Sequence, residues 1–393
     1  MSPAFAFVFI TVAIDMVALG VVMPVFPELV AQLQGGSTAG AATYYGIFSA
    51  VFAAMQFLFA PVLGALSDRF GRRTVLILSN LGLGIDYLLM AVAPSLGWLF
   101  LGRVVAGITS SSYSAAAAYI ADVTPPDHRA ARFGALGVAF GLGFILGPSL
   151  SGVVAAYGLR APFVLSATLS LLNALYGWFV LPESLPAERR APFRWQNAHP
   201  IGSLQFLRAR PAIFPLAMAG FLSMLAHDSL PSTFVLYTSY RYHWDERTVG
   251  LVLGGVGVAS MIVQGALVGR LVAWLGERRA LTAGFVSGAI GMLVFAFAPT
   301  GGLYCLGIVF TAFYGLANPS LQALTTSRVA ATEQGQLQGA QGSLTGIASM
   351  TAPLLFTQLF ALAIGPLAGW HLPGLPFVVA ALFLGAAMLT ARH

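Results

Sequence analysis

The sequence predicts an all-α integral membrane protein, with twelve transmembrane helices in two six-helix bundles and both termini cytoplasmic. Two features of composition support this. Of the 393 residues, 58% are hydrophobic and only 8% are charged, whereas an average soluble domain carries about 25% charged residues. A third observation is that apolar stretches of spanning length recur along the whole chain. The lipid bilayer is therefore the expected partner of most of the surface.

The number of spans follows from the bilayer, because a spanning helix needs about 20 apolar residues. The first apolar stretch has no basic region before it and is long enough to span, so we interpret it as a span and not as a cleavable signal. The predicted spans are 5–27, 43–65, 74–94, 98–121, 133–156, 162–181, 212–238, 248–273, 280–298, 303–324, 339–362 and 373–391.

Arginine placement predicts the orientation, since cytoplasmic loops are enriched in basic residues. With the N-terminus inside, the outer connections contain only Arg160, Arg241 and Arg247. The other loop and terminal arginines then lie inside: Arg69, Arg72, Arg73, Arg129, Arg132, Arg189, Arg190, Arg194, Arg208, Arg210, Arg270, Arg278, Arg279, Arg328 and Arg392. This bias predicts N-in and C-in topology in the inner (plasma) membrane. It also explains the net charge of +6 without a nucleic-acid partner.

The longest polar stretch divides the chain into two halves. Residues 182–210 contain five arginines and two glutamates, which predicts a cytoplasmic linker between an N-terminal bundle, 1–181, and a C-terminal bundle, 211–393. Two six-helix bundles about a central pathway are typical of transporters. Nothing in the sequence indicates obligate oligomerisation, so we expect a monomer.

The loop Gly64–Arg73 resembles the loop between helices 2 and 3 of the major facilitator superfamily, matching Gly-x-Leu-x-Asp-Arg-x-Gly-Arg-Arg. The resemblance implies the major facilitator fold. It also implies an inner gate that forms in one state and opens in another. The alternative is a solvated loop that only sets orientation. Asp122 ends helix 4 on the same side, where an ion pair would lock the gate. The predicted gate residues are Asp68, Arg69, Arg72, Arg73 and Asp122.

Three more patterns in the N-terminal half resemble the same superfamily. They are Asp15 to Pro27 in helix 1, Arg103 to Gly107 in helix 4, and a glycine-rich pattern in helix 5 that is associated with antiporters. The glycines allow close helix contact, and a proline disturbs one backbone hydrogen bond. The predicted packing residues are Gly143, Gly147, Pro148 and Gly152.

A narrower resemblance, to the tetracycline/proton antiporters, runs along nearly the whole chain. It implies proton-driven efflux of an amphipathic drug, of tetracycline or multidrug type, by alternating access. The segments that carry it are Asp15–Gly20, Ala54–Gln56, Asp86–Leu89, Gly102–Thr109, Ala139–Gly143, Gln264 and Gln334–Ala340.

The chain departs from those antiporters in its C-terminal half. They share a histidine in helix 8 and an aspartate in helix 9, where this chain has Ser260 and Gly288. It instead carries His227 and Asp228 in helix 7. We therefore expect its substrate choice, and its coupling in that half, to differ from theirs.

Ionisable side chains inside the bilayer are the candidates for proton coupling. Each costs about 2.5–3.5 kcal/mol on insertion scales unless it is paired or hydrated. We predict Asp15 as the main proton carrier, with Asp86 and Arg103 tuning it or binding substrate. The alternatives are a structural hydrogen bond at Asp15, a polar substrate contact at Asp86, and carbonyl contacts or snorkelling at Arg103.

His227 and Asp228 leave two interpretations open. A His–Asp pair can titrate near physiological pH and stand in for the missing C-terminal groups. Alternatively, helix 7 breaks before Pro231 and Asp228 caps the half-helix that follows. We favour the break slightly, because a proline and a good cap residue stand together.

Uncharged polar residues are the candidates for substrate binding, since drug sites are mostly apolar with a few oriented polar groups. The alternative is that they hold helices together. These candidates are Gln56, Tyr87, Gln264, Asn318, Gln322 and Gln341.

The sequence contains no cofactor or metal motif. The glycine run Leu253–Gly257 lacks the strand and acidic partner of a dinucleotide fold, and there is no phosphate loop. We therefore predict a transporter, not an enzyme, that carries a small molecule and protons and is driven by an ion gradient. Alternatives are an exporter of an endogenous metabolite or siderophore-like molecule and, from another class, a transport-dead receptor or assembly protein.

Overall fold

We describe the protein from a computed structural model that covers residues 3–124, 126–190, 207, 210–328 and 334–391. Within these residues the regular structure is helical, and no strand occurs. Most of the predicted linker 182–210, and Arg392, lie outside the described residues.

The helices before the linker fall into long elements and shorter elements separated by turns. They are α1 (Pro3–Val22), α2 (Phe26–Gln34), α3 (Thr38–Phe70), α4 (Arg72–Val92), α5 (Leu96–Thr109), α6 (Ser112–Val123), α7 (Pro126–Val154) and α8 (Ala161–Phe179). One short 3₁₀ turn, Ala155–Tyr157, lies between α7 and α8, and another, Ala187–Arg189, lies after α8.

The helices after the linker follow a similar pattern, with one π-helical turn at Val263–Leu267. They are α9 (Phe214–Tyr242), α10 (Glu246–Ile262), α11 (Val268–Leu275), α12 (Glu277–Phe297), α13 (Gly301–Tyr314), α14 (Ala317–Thr326), α15 (Gln334–Ile364) and α16 (Leu375–Thr390). A 3₁₀ turn at Ala368–Trp370 precedes α16.

Eight helical segments among the described residues are long and apolar enough to cross a membrane, by length and composition. They coincide with predicted spans 1, 2, 3, 6, 8, 9, 10 and 11. The other four predicted spans are helical: they fall on α5 with α6, on α7, on α9 and on α16. The chain is therefore a multi-pass helical membrane protein.

Breaks in the helices place backbone and polar groups in the interior of the spans. Turns separate α1 from α2 at residues 23–25, α5 from α6 at Ser110 and Ser111, and α13 from α14 at Gly315 and Leu316. The first two of these breaks lie in unit 1, defined below, and the third lies in unit 2.

The predicted break in helix 7 is wrong. Helix α9 runs without interruption through Pro231 from Phe214 to Tyr242. A proline inside a helix removes one hydrogen bond and crowds the preceding turn, but neighbouring helices and hydroxyl side chains can compensate in a membrane. Here Tyr45 donates its hydroxyl to the Pro231 carbonyl at 3.2 Å, and Ser232 donates to the Asp228 carbonyl at 2.6 Å.

Contacts divide the chain into two compact units. Unit 1 comprises Met1–Gly35, Val51–His199 and Glu246–Gly257. In it α1 packs on α7 and α8, and α4 packs on α5 and α8. The α1–α7 contact is close enough that a Cβ at Gly20 would lie 2.3 Å from the Gly143 carbonyl oxygen, so glycine is required there.

Unit 2 comprises Gly36–Ala50, Pro200–Asp245 and Val258–His393. Helix α9 packs on α15 and α16, and α12 packs on α13 and α16. Its core contains a cluster of aromatic rings around Tyr237 and Tyr304. The ring centroids of Tyr304 and Phe295 are 4.4 Å apart, and those of Tyr237 and Phe377 are 5.1 Å apart. Such rings bury a large apolar area in well-defined geometry.

Candidate transport site

Asp15 lies at the centre of a buried polar network in unit 1. Its side chain is 3% exposed. The amide nitrogen of Asn173, on α8, donates to Asp15 Oδ1 at 2.9 Å, to the Thr11 carbonyl at 2.8 Å and to Asn80 Oδ1 at 3.2 Å. Asp15 Oδ2 and Asn173 Oδ1 are buried and have no hydrogen-bond partner among the described residues. The network thus joins α1, α4 and α8, and the hydroxyl of Ser112 on α6 also neighbours the Asp15 carboxyl.

Asp86 and Arg103 form an ion pair between α4 and α5. Asp86 is fully buried, and Arg103 Nε lies 3.3 Å from Asp86 Oδ1 while Nη2 contacts Oδ2. The guanidinium also lies over the rings of Phe26 and Phe52, at 5.1 and 5.4 Å from their centroids. A buried charge is tolerated when it is paired and hydrogen-bonded, and the rings add a cation–π attraction.

Gly102 makes room for this ion pair. A Cβ at Gly102 would lie 2.5 Å from Asp86 Oδ1, so any other residue would displace the carboxylate. The sequence predicted Asp86 and Arg103 as separate candidates, and the structure brings them together.

Two predicted substrate residues of unit 1 have structural partners. Gln56 donates to the Ser110 hydroxyl at 3.1 Å and so holds α3 against the α5–α6 break. Tyr87 is 1% exposed and inaccessible to a substrate in this conformation. The Gln56 contact fits the alternative in which polar residues hold helices together.

The predicted gate loop forms an ordered cluster inside unit 1. Arg72 Nη1 lies 2.5 Å from the carboxylate of Asp68, and Arg72 Nε lies 3.2 Å from Asp122 Oδ2. The predicted ion pair between Arg72 and Asp122 is therefore present. Ser184 adds a hydrogen bond to Asp122 Oδ2 at 3.1 Å.

The other two gate arginines differ from each other. Arg73 donates Nε to the Gly177 carbonyl at 3.1 Å and contacts the Trp178 carbonyl at the end of α8. Cations are favoured there by the carbonyls that a helix leaves unpaired. Arg69 is exposed and lies 5.0 Å from the centroid of the Phe70 ring.

Glu183 is a member of this cluster that the sequence did not predict. Its Oε1 accepts from the backbone N–H of Arg72 at 2.9 Å and from that of Leu185 at 3.1 Å. Gly71, at φ +105°, leaves the space that the carboxylate occupies, since a Cβ there would lie 2.0 Å from Glu183 Oε2. The sequence feature that could have identified Glu183 is its position directly after Pro182, at the end of a predicted span.

The glycine pattern of α7 contacts two helices. A Cβ at Gly147 would lie 2.5 Å from Gly20 Cα on α1. Further along α7, the Pro148 carbonyl faces α10, since a Cβ on Gly250 would lie 2.4 Å from its oxygen. Gly152 faces the backbone of Arg247 on the same helix. These residues of α7 therefore lie where it approaches the backbones of α1 and α10 closely.

His227 and Asp228 lie on α9 in unit 2. The side chain of His227 is 56% exposed and that of Asp228 is 13% exposed, with His227 Nδ1 3.4 Å from Asp228 Oδ1. Ser349, on α15, donates to Asp228 Oδ2 at 3.1 Å. Asp228 is thus held by a side chain of a neighbouring helix, and no pattern in the sequence pointed to Ser349.

Gly288, at the position where the antiporters share an aspartate, has no space for a larger side chain. A Cβ there would lie 2.9 Å from the Tyr314 ring and 3.0 Å from Leu384. Tyr314 also donates to the Ser223 carbonyl at 2.8 Å, and its ring centroid lies 6.3 Å from that of His227. An aromatic side chain therefore occupies the space beside Gly288.

The remaining polar candidates of unit 2 are spread over three elements. Gln264 lies in the π-helical turn, where it is exposed and packs beside Gly315 at the α13–α14 break. Such π-helical turns are frequent at functional sites. Asn318 is exposed, and Gln322 and Gln341 are half-buried.

Comparison with known proteins agrees with this architecture. The family model described as Major Facilitator Superfamily matches residues 8–353. The tetracycline resistance protein of class C from Escherichia coli is 38% identical over 95% of this chain and 93% of its own length. The class D protein from Salmonella ordonez is 35% identical over 88% of this chain and 87% of its own. The crystal structure of a bacterial homolog of the human lysosomal transporter Spinster, in its inward-facing and unoccupied conformation, matches with a TM-score of 0.77 at 15% identity. That match covers 99% of this chain and 96% of that one.

The fold and the relatives together define a multi-pass membrane transporter of the drug-efflux type and not an enzyme. The chain belongs to the Major Facilitator Superfamily and, within it, to the family of the tetracycline resistance proteins.

Proposed function

We propose that this chain exports an amphipathic, drug-like compound of the tetracycline or multidrug type in exchange for protons, by alternating access. The observation that carries the proposal is the carboxyl of Asp15, which is buried between α1, α4 and α8, with no hydrogen-bond partner for Oδ2 in the part of the chain that the structure describes. Drug-type transport is supported by the relatives named as tetracycline resistance proteins.

Asp15 is our candidate for the proton carrier. A carboxylate removed from water is costly, whereas a protonated carboxyl is neutral and gains a donor. Among the described residues, Asp15 Oδ2 and Asn173 Oδ1 are both acceptors without a hydrogen-bond donor, so a proton on Asp15 would supply a donor to this network. Hydration of the site in another conformation would favour release of that proton.

Asp86 and Arg103 supply a fixed charge pair in the same unit. Their contacts with each other and with two aromatic rings support a tuning role, since rearranging either partner would change the electrostatic field in the bundle.

The gate role is assigned to Asp68, Arg69, Arg72, Arg73 and Asp122, with Glu183 added from its contact with the Arg72 backbone. Most of these groups lie on α3, α4 and α6, and Arg73 contacts the end of α8. The contacts among them can therefore change when those helices move. The proposed topology keeps twelve spans in two bundles, 1–181 and 211–393, joined by the linker 182–210. Both termini lie inside, and the protein acts as a monomer.

Substrate binding is assigned to the amide side chains of unit 2, namely Gln264, Asn318, Gln322 and Gln341. The π-helical turn that contains Gln264, and the α13–α14 break that it packs against, support this assignment, because such turns are frequent at functional sites. A second candidate is export of a metabolite or siderophore-like molecule. The packing of Tyr314 against Gly288 favours it, since an acidic group that the tetracycline antiporters share has no space here.

The test is Asp15→Asn in proteoliposomes that contain a pH-sensitive dye. We expect the variant to insert at wild-type levels but to lose compound-driven proton movement, because an amide cannot carry the proton. Glu277→Gln is the matched control: it removes an exposed carboxyl at the start of α12, so its proton movement should equal that of the wild type. Normal proton movement by Asp15→Asn would contradict the assignment.

A further inference from the structure

Asp228 has an unusual position among the acidic side chains of unit 2. The described acidic residues of this unit are Asp228, Asp245 and Glu277. Asp245 lies between two helices and Glu277 begins one, whereas Asp228 lies in the middle of α9. An acidic residue inside a spanning helix points to a functional site.

The surroundings of Asp228 supply little compensating charge. The helices in contact with α9 include α14, α15 and α16, whose sequences contain no acidic, basic, histidine, tyrosine or cysteine residue. Ser349 provides one hydrogen bond, at 3.1 Å. On α9 itself Arg241 is 13 positions away, about 20 Å along the helix. The ionisable groups near this part of α9 in unit 2 include His227, next to Asp228 in the chain, and the phenol of Tyr314, whose ring lies against His227. The phenol of Tyr45 also reaches α9, where it donates to the Pro231 carbonyl at 3.2 Å.

The groups around Asp228 form a surface suited to a cation. The Tyr314 ring lies along the Ser223–His227 face of α9, so an aromatic surface adjoins His227, the residue next to Asp228. Pro231 has no N–H to donate to the His227 carbonyl, so that acceptor lacks its usual helical partner. A carboxylate, a carbonyl and an aromatic face are the groups that bind organic ammonium ions.

We propose that Asp228 binds a protonated amine of the transported compound, and that a proton on His227 displaces this amine. The proposal rests on the proposed export function and specifies its substrate class. When His227 is neutral, the carboxylate of Asp228 pairs with the substrate ammonium. When His227 takes a proton from solution, its imidazolium lies beside the same carboxylate and competes for it. One carboxylate then alternates between the substrate cation and a proton-bearing side chain.

The pH dependence follows from this competition. A proton on His227 places a positive charge beside the Asp228 carboxylate, since His227 Nδ1 lies 3.4 Å from Asp228 Oδ1. Amine binding should therefore be weakest at acid pH, where imidazolium occupies Asp228, and should strengthen as the pH rises.

The first test uses two compounds that differ by one amine: tetracycline and its analogue without the 4-dimethylamino group. Binding is measured by fluorescence with the purified full-length protein, in a chelator that prevents metal complexes. We expect the wild type to prefer tetracycline by about tenfold, the size of a charge-assisted hydrogen bond. Asp228→Asn should abolish the preference while leaving analogue binding unchanged, and Asp228→Glu should retain most of it.

Equal weakening of both compounds by Asp228→Asn, or no weakening of either, would overturn the proposal. In that case intact proton-coupled transport that still depends on Asp15 would leave the proposed function standing. If the wild type binds neither compound, the assignment of an amine site at Asp228 is overturned as well.

The second test isolates His227. Between pH 5.5 and 7.0, tetracycline binding by the wild type should strengthen several-fold as the pH rises. His227→Gln should bind tightly at both pH values, because glutamine cannot become a cation. An unchanged pH slope in this variant would refute the competition. The analogue without the amine serves as the control, and its binding should not depend on His227.

Discussion

The two units differ in how the acidic side chains within their helices are buried and partnered. Within the helices of unit 1, Asp86 is fully buried against Arg103, and Asp15 is buried with one carboxyl oxygen accepting from Asn173. Unit 2 has an aromatic core and leaves its mid-helix acid partly accessible beside an exposed histidine. A buried carboxyl such as Asp15 is suited to holding a proton. A partly accessible carboxylate such as Asp228, beside His227, is suited to binding a ligand. In our proposal Asp15 of unit 1 holds the coupled proton, whereas at Asp228 of unit 2 the substrate amine competes with protonated His227.

The largest effect should follow from breaking the helix contact that encloses the charges of unit 1. Valine at Gly147 would place a Cβ 2.5 Å from Gly20 Cα, so α1 and α7 could not keep their present distance. We expect Gly147→Val to yield little folded protein by size-exclusion chromatography in detergent, because overpacking against backbone cannot relax by a side-chain movement.

The matched control is a helical glycine of unit 2 with open space around it. A Cβ at Gly385 on α16 would meet nothing within 4 Å. Gly385→Ala should therefore fold normally and gain a few tenths of a kcal/mol to about 1 kcal/mol in helix propensity. Folding of Gly147→Val at wild-type yield would mean that the α1–α7 contact is not needed to hold unit 1 together.

The sequence predicted much of this architecture but few of the contacts between side chains on different helices. Low charge and repeated apolar stretches predicted the helical membrane fold, and the loop at Gly64–Arg73 predicted the superfamily. The positions of Asp15, Asp86 and Arg103 as buried groups were predictable because charge inside a span is costly.

What the sequence could not give was which groups meet across helices. Asn80 and Asn173 are 93 positions apart, and Glu183 reaches the Arg72 backbone over 111 positions. Such pairs depend on helix packing, which one sequence does not encode in any local pattern. The predicted break at Pro231 failed for a related reason: the hydroxyls of Tyr45 and Ser232 bind carbonyls near the proline.

The next effect in size should come from separating the ion pair of unit 1. Arg103→Met keeps the length of the side chain but leaves Asp86 buried and unpaired. Breaking a buried pair typically costs about 3–5 kcal/mol, so the thermal midpoint of the purified protein should fall clearly.

A double variant sharpens this test. Asp86→Asn combined with Arg103→Met removes both charges and should recover much of the lost stability, since a neutral amide costs less to bury than a carboxylate. A double variant no more stable than Arg103→Met would show that the cost arises from lost packing on Phe26 and Phe52 and not from the unpaired charge.

The smallest effect should come from the aromatic core of unit 2, where two tyrosines allow a direct comparison. Tyr237 donates its hydroxyl to the Phe295 carbonyl at 2.9 Å, whereas the Tyr304 hydroxyl is buried without a partner among the described residues. Tyr237→Phe should lower the free energy of unfolding by about 1 kcal/mol, the net contribution of one buried hydrogen bond. Tyr304→Phe should be neutral or slightly stabilising, because it removes a polar group that is buried unsatisfied. Both variants are measured by thermal unfolding in the same detergent. A marked loss of stability in Tyr304→Phe would mean that its hydroxyl is bonded in the membrane, and that the core of unit 2 relies on polar contacts as unit 1 does.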